Sequence, residues 1–197
     1  MSPPRIVPAA IIDQDGSLGS IDKFNEQALS LLTSDKARQA FDLSEEPESV
    51  IERYGKTHNG MSMLMARRLV EAGVPFVSVF WKGNKKLAEA KNCKSGGGWD
   101  THGNNFVCLK DVLLPELDHS FTALLDDLAE RGLLDETLII CGGEFGRTPA
   151  VEIPIGSNAK PTGRDHNHHG FTVWLAGGGI RGGTVYGKTD EFGYQAV

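Results

Sequence analysis

Val74-Pro75-Phe76-Val77-Ser78-Val79-Phe80-Trp81 and, further along, Thr137-Leu138-Ile139-Ile140-Cys141 are the two stretches whose reading decides the fold. Each is short and dense in β-branched and aromatic side chains, the pattern of a strand buried on both faces. Pro75 suits only the beginning of the first. Between them Phe106, Leu109, Leu113, Leu117, Phe121, Leu124 and Leu128 recur every three or four residues, which predicts one long amphipathic helix. Asn104 or Asn105 is placed to cap it, Pro115 to kink or divide it, and Gly132 to close it. Strand, helix, strand is a βαβ unit. Such units cross over right-handed and build parallel sheets whose ligand sites lie beyond the carboxyl ends of the strands. The expected fold is therefore α/β, with a mostly parallel central sheet flanked by helices. A third strand is read at Phe171–Ala176, parallel or antiparallel to the others.

Outward from this unit, residues 1–20 contain three prolines and a turn-like Asp13-Gln14-Asp15-Gly16-Ser17, predicting an irregular leading segment. From Ile21 the pattern turns helical, with further helices expected over Asp35–Phe41, Pro47–Tyr54 and Thr57–Ala72. Residues 21–73 thus form a helical part, and 74–197 hold the sheet and its loops, all within one domain. Lys82–Asn92 carries four lysines and runs into Gly96-Gly97-Gly98, so a mobile excursion is expected. A long loop follows Pro149, and Gly182–Gly187 resembles a short hairpin or edge element.

Composition excludes several classes. The 197 residues carry a formal charge of -6 and no basic stripe, which argues against a nucleic-acid binder held by phosphate contacts. The longest apolar runs fall far short of a membrane span. Met1–Arg5 lacks the apolar core of an export signal. Cys93, Cys108 and Cys141 are odd in number and show no CxxC spacing, so neither a disulfide framework nor a zinc knuckle is indicated.

Three apparent loops offer metal-ligand chemistry. Gly98-Trp99-Asp100-Thr101-His102 places a carboxylate and an imidazole two residues apart, although a capping aspartate beside a surface histidine gives the same pattern. Gly143-Glu144-Phe145-Gly146-Arg147 offers Glu144, which an ion pair with Arg147 would equally explain. Asp165-His166-Asn167-His168-His169 is more telling, because it concentrates imidazoles in a chain with only six histidines. Asp100, His102, Glu144, Asp165, His166 and His168 are the candidate ligands for a hard or borderline divalent metal. His58 and His119 fall on predicted helices and are set aside. Arg147 and Arg164 are the candidates for holding an anionic substrate, or else structural ion pairs. No nucleophile elbow, P-loop or dinucleotide fingerprint is present.

Ala66-Arg67-Arg68-Leu69-Val70-Glu71-Ala72-Gly73-Val74, Gly98-Trp99-Asp100-Thr101-His102, Gly143-Glu144-Phe145-Gly146-Arg147-Thr148-Pro149, Gly163-Arg164-Asp165-His166 and Ala176-Gly177-Gly178-Gly179 together resemble the domain of unknown function 1501 family. These are bacterial proteins abundant in planctomycetes and grouped with the alkaline phosphatase and sulfatase superfamily. The resemblance runs from about Ala40 onward. It implies a sandwich with a mostly parallel sheet and two metal ions, usually zinc, manganese or calcium, around a Ser, Thr or modified Cys nucleophile. Asp100, His102 and His166 match, in order, the ligands of one metal. Where the other metal usually takes an adjacent Asp-His pair, this chain has Glu144-Phe145.

Relatives carry the nucleophile upstream of anything matched here and begin with an export signal, which would place them in the periplasm. The expectation is a partial domain, without its nucleophile, of a metal-dependent hydrolase of phosphate or sulfate esters, inactive in this form. Its substrate would be an anionic small-molecule or polysaccharide ester. The alternative is a non-catalytic protein that keeps the fold to bind an anion or polysaccharide.

Overall fold

The structure is a computed structural model that describes residues 17–95, 97–153 and 162–197. The expected irregular segment falls mostly on residues outside these, as does the middle of the long loop after Pro149. Residues 17–20 of that segment are helical: helix α1 spans Ser17–Thr33. Helix α2, Asp35–Ala40, follows a Ser34 cap whose side chain accepts the Ala37 N–H. Helix α3 is Glu48–Tyr54, preceded by Pro47 and ended at Gly55, whose φ of 79° only glycine adopts without strain. Helix α4, His58–Glu71, is capped by the Thr57 hydroxyl, which accepts the Gly60 N–H at 3.0 Å. Helices α2 to α4 form where the apolar spacing and stop signals place them, because caps and periodicity are local properties of the chain.

Lys82–Asn92 is not a loose excursion. Helix α5, Lys85–Ala90, starts from an Asn84 cap and buries Ala88 completely. The lysines mark only its solvent face. The long helix expected from residue 104 onward is divided: helix α6 spans Asn105–Cys108, a π-helical turn covers Leu109–Leu113, and helix α7 runs Leu114–Glu130. Pro115 sits in the first turn of α7, where its missing N–H costs least. The wide turn just before it takes up the register change. Asn104 occupies the cap position in a left-handed conformation, but its side chain bonds to the Asn92 carbonyl and caps nothing.

The sheet departs from expectation. Among the described residues there are two small antiparallel pairs and no parallel central sheet. Strand β1, Ile139–Cys141, pairs with β4, Trp174–Ala176, in the register Ile139 to Ala176 and Cys141 to Trp174. Strand β2, Gly146–Arg147, pairs with β3, His166–Asn167. Val74–Trp81 forms no strand and joins no ladder, and its Phe76 and Phe80 are 83% and 84% exposed. The expected βαβ unit therefore lacks its first strand. β-branched and aromatic content favours an extended backbone, but a strand also needs a hydrogen-bonding neighbour, which composition does not supply. The described molecule is mixed and predominantly helical.

Its main core lies between α3, α4 and α7, where Tyr54, Met63, Leu64, Ala123, Leu124 and Leu128 meet. The β1–β4 pair lies against this core: Ile139 packs on it, and Trp174 meets Phe121 of α7 edge-on with ring centroids 5.1 Å apart. A second cluster of Ala88, Cys93, Cys108, Val112 and Leu113 joins α5 to the π-helical turn. Trp81 touches both clusters. Inside the second, Cys93 and Cys108 form a disulfide that the spacing of the cysteines does not announce.

Candidate metal centre

Three backbone segments are bonded side by side to make the site. The Asn105 N–H donates to the Thr162 carbonyl at 2.8 Å, and the Asn104 N–H donates to the Thr162 hydroxyl. This ties the loop of Asp100 and His102 to residues 162–166. On the other side of that segment, Glu152 and Gly163 form a β-bridge, and Arg147 pairs with His166 through β2 and β3. Gly163 is indispensable to the stacking, because a Cβ there would lie 1.6 Å from the His102 carbonyl oxygen. Gly97 plays the same part against Asn84, at a φ of 85°. Beneath the loop the buried Thr101 hydroxyl donates to the Asn105 side chain.

On this frame Asp100, His102 and His166 converge. Asp100 Oδ1 lies 2.9 Å from His166 Nε2 and 3.1 Å from His102 Nε2, and the two Nε2 atoms are 3.1 Å apart. Three ligands held 2.0–2.1 Å from a tetrahedral ion stand about 3.3 Å from one another, so the triangle is near the size a zinc-like ion requires. Asp100 Oδ1 also accepts from Arg147 Nη2 at 3.0 Å, so three nitrogens surround one carboxylate oxygen.

The hydrogen bond from His166, aided by Arg147, holds the Asp100 carboxyl below its ordinary pKa against the opposing effect of partial burial. It is the ionised form that is favoured. Phe145 stacks on the His166 ring at 4.0 Å and fixes its plane. Asp100 remains 69% exposed, leaving the outer side of the triangle open to solvent.

The other candidates are placed as follows. Asp165 approaches His102 from the far side, with Oδ1 3.8 Å from Nδ1. Glu144 is exposed and joins no ligand group among the described residues. His168 stacks on His169 at 3.7 Å instead of turning toward the cluster. Arg147 is largely committed to the protein, bonding the Trp99 and Arg164 carbonyls as well as Asp100. Arg164 donates to the Thr148 carbonyl, lies over the Phe106 ring at 5.4 Å, and has a buried Nε with no partner among the described residues. Glu152, which nothing local marks as a ligand, reaches within 4.8 Å of His102 and Asp165. Its place depends on a bridge to Gly163, eleven residues on, and could be found only from the pairing.

No helix among the described residues is long and apolar enough to cross a membrane. A family profile described as "Protein of unknown function (DUF1501)" matches residues 9–197. No curated protein and no solved structure matches the chain.

Proposed function

The chain belongs to the DUF1501 family, and from that premise and the geometry above we propose that it is a metal-dependent, hydrolase-like protein directed at phosphate or sulfate esters. The observation that carries the reading is the triangle of Asp100 Oδ1, His102 Nε2 and His166 Nε2, open on its solvent side. Two imidazoles and one carboxylate suit zinc or manganese better than calcium, which prefers oxygen alone. When bound, such an ion supplies Lewis acidity to an ester oxygen. The chain's own part is to hold the three ligands in place through the stacked segments, to keep Asp100 ionised, and to set the Arg147 guanidinium at the edge of the opening, where its charge favours an anionic group. A buried disulfide supports export to an oxidising compartment such as the periplasm.

A non-catalytic, anion-binding role is the second reading, and one observation favours it. Thr101, the hydroxyl between two of the ligands, is buried and donates to Asn105, so it is not placed to attack a substrate.

The test combines metal analysis with turnover. Purified protein should contain stoichiometric metal that is lost in His102→Ala and His166→Ala variants, and it should be assayed with p-nitrophenyl phosphate and p-nitrophenyl sulfate. Metal-dependent turnover supports the hydrolase, whereas anion binding without turnover supports the second reading. Protein that takes up no zinc or manganese, even when either is supplied, overturns both.

A further inference from the structure

His102 belongs to two groups of ligand atoms, and its two ring nitrogens meet different carboxylates, Asp100 and Asp165. Nε2 meets Asp100 and His166. Nδ1 faces Asp165, and ligand atoms of His102, Glu152 and Asp165 lie within 4.8 Å of one another. The two ring nitrogens point in divergent directions, so no single ion serves both sets.

We infer that a second divalent cation binds on the Nδ1 side, held by His102, Glu152 and Asp165, so that His102 bridges two metal positions. The inference rests on the reading that Asp100, His102 and His166 hold the first ion.

A histidine bound to one metal through Nε2 commonly gives its Nδ1–H to one carboxylate. Here Asp165 Oδ1 faces that nitrogen at 3.8 Å, beyond hydrogen-bonding distance, and a Glu152 carboxylate oxygen lies within 4.8 Å of a ligand atom of each. The grouping is built into the backbone. The Glu152 N–H donates to the Gly163 carbonyl at 2.8 Å, and the Gly163 and Thr162 N–H groups return bonds to the Glu152 carbonyl. The Asp165 N–H donates to the Thr148 hydroxyl, and Asp165 Oδ1 accepts the His166 N–H at 2.7 Å, which orients its carboxylate. With Gly163 pressed against the His102 carbonyl, the carboxylates and the imidazole are held on one bonded surface.

A set of one imidazole and two carboxylates suits borderline ions such as zinc and manganese. Binding is ligand exchange without oxidation or reduction. Bonds form from Nδ1 and the two carboxylates to the ion, water leaves the ion, and the Nδ1 proton passes to solvent, so the ring becomes an imidazolate bridge.

Chelator-stripped full chain titrated with zinc tests this, read by native mass spectrometry and by calorimetry in buffers of different ionisation enthalpy. The expected result is uptake of a second zinc per chain, with release of a proton in that step. Glu152→Gln and Asp165→Asn should each weaken the second zinc about tenfold or more and leave the first in place. Asp100→Asn should weaken the first and spare the second, and His102→Ala should lose both. A single zinc in the unaltered protein, or a second zinc indifferent to both Glu152→Gln and Asp165→Asn, overturns the shared-histidine arrangement while the Asp100 centre stands. Failure to take up any zinc or manganese removes the Asp100 centre as well.

Discussion

Cys93 and Cys108 are joined by a disulfide that closes the loop carrying both Asp100 and His102, with their Cα atoms 4.7 Å apart and the two residues 15 positions apart in sequence. Both cysteines are buried in the cluster that anchors α5 to the π-helical turn. The bond therefore restrains the ligand loop at its base.

Closing a loop of this length is worth about 3 kcal/mol by the chain-entropy account. The double variant Cys93→Ser/Cys108→Ser should lose stability of about that size in denaturant unfolding and bind zinc more weakly, because its ligand loop starts from a broader ensemble. Thiol titration of the denatured, unreduced protein should find only Cys141. Finding Cys93 and Cys108 reactive as well would mean that the bond is not formed.

Arg67 is 1% exposed and lies between acidic partners, Nη2 at 2.8 Å from Glu46 and Nε at 2.9 Å from Asp127. These are close charge contacts whose N–H directions miss linear hydrogen-bond geometry; Nη1, by contrast, donates to Glu71. Removing one member of a buried charge network strands the others, so Arg67→Ala should cost about 3–5 kcal/mol. Arg67→Met, which retains volume but not charge, should recover little unless Asp127 is neutralised too. A double-mutant cycle with Asp127→Asn measures that coupling.

Acid should unfold the helical core through the same network. Burial opposes ionisation of Asp127, but hydrogen bonds from Arg131 and Tyr54 and the charge of Arg67 outweigh it and lower its pKa. Burial likewise opposes ionisation of Glu46, and Arg68 and Arg67 outweigh it. A carboxyl whose folded pKa is depressed contributes stability above its unfolded pKa, near 4, and loses that contribution as pH falls through the folded value. Unfolding midpoints should fall steeply below about pH 4, and less steeply in Asp127→Asn. Tyr54 has the opposite sign. Burial, then the neighbouring Asp127, raises its phenol pKa, so its contribution is complete below about pH 10 and declines as pH rises further.

Gly163→Ala should separate the stacked segments, since its Cβ would fall 1.6 Å from the His102 carbonyl oxygen. Backbone cannot yield as a flexible side chain can, so a cost of about 1–3 kcal/mol and a loss of zinc affinity are expected. Gly182→Ala, where a Cβ meets nothing within 4 Å, serves as the control and should leave both properties unchanged.

The helical half of the chain was legible in the sequence because its signals are local. The helices expected over Pro47–Tyr54 and Thr57–Ala72 match α3 and α4 to within a residue at each end, because Gly55 and the apolar spacing of Met61, Leu64, Met65 and Leu69 lie within a few residues of the structure they dictate. The sheet was not legible in the same way. Val74–Trp81 has a strand's composition and no strand's neighbour, and Phe171–Ala176 left its direction open until its pairing with β1 showed it antiparallel.

The candidate site divides along the same line. By itself the sequence determined that carboxylates and imidazoles would gather in loops around residues 100, 144 and 165, since residue type and glycine-rich context are written locally. Only the tertiary structure decided that Glu144 and His168 stand apart, that Glu152 enters, that Arg147 braces the loop of Asp100, and that Cys93 meets Cys108. A ligand set is defined by distances of about 3 Å between side chains dozens of residues apart. Those distances follow from backbone pairing at Thr162 and Gly163 and from the close approach that Gly163 allows, information that no window along the chain contains.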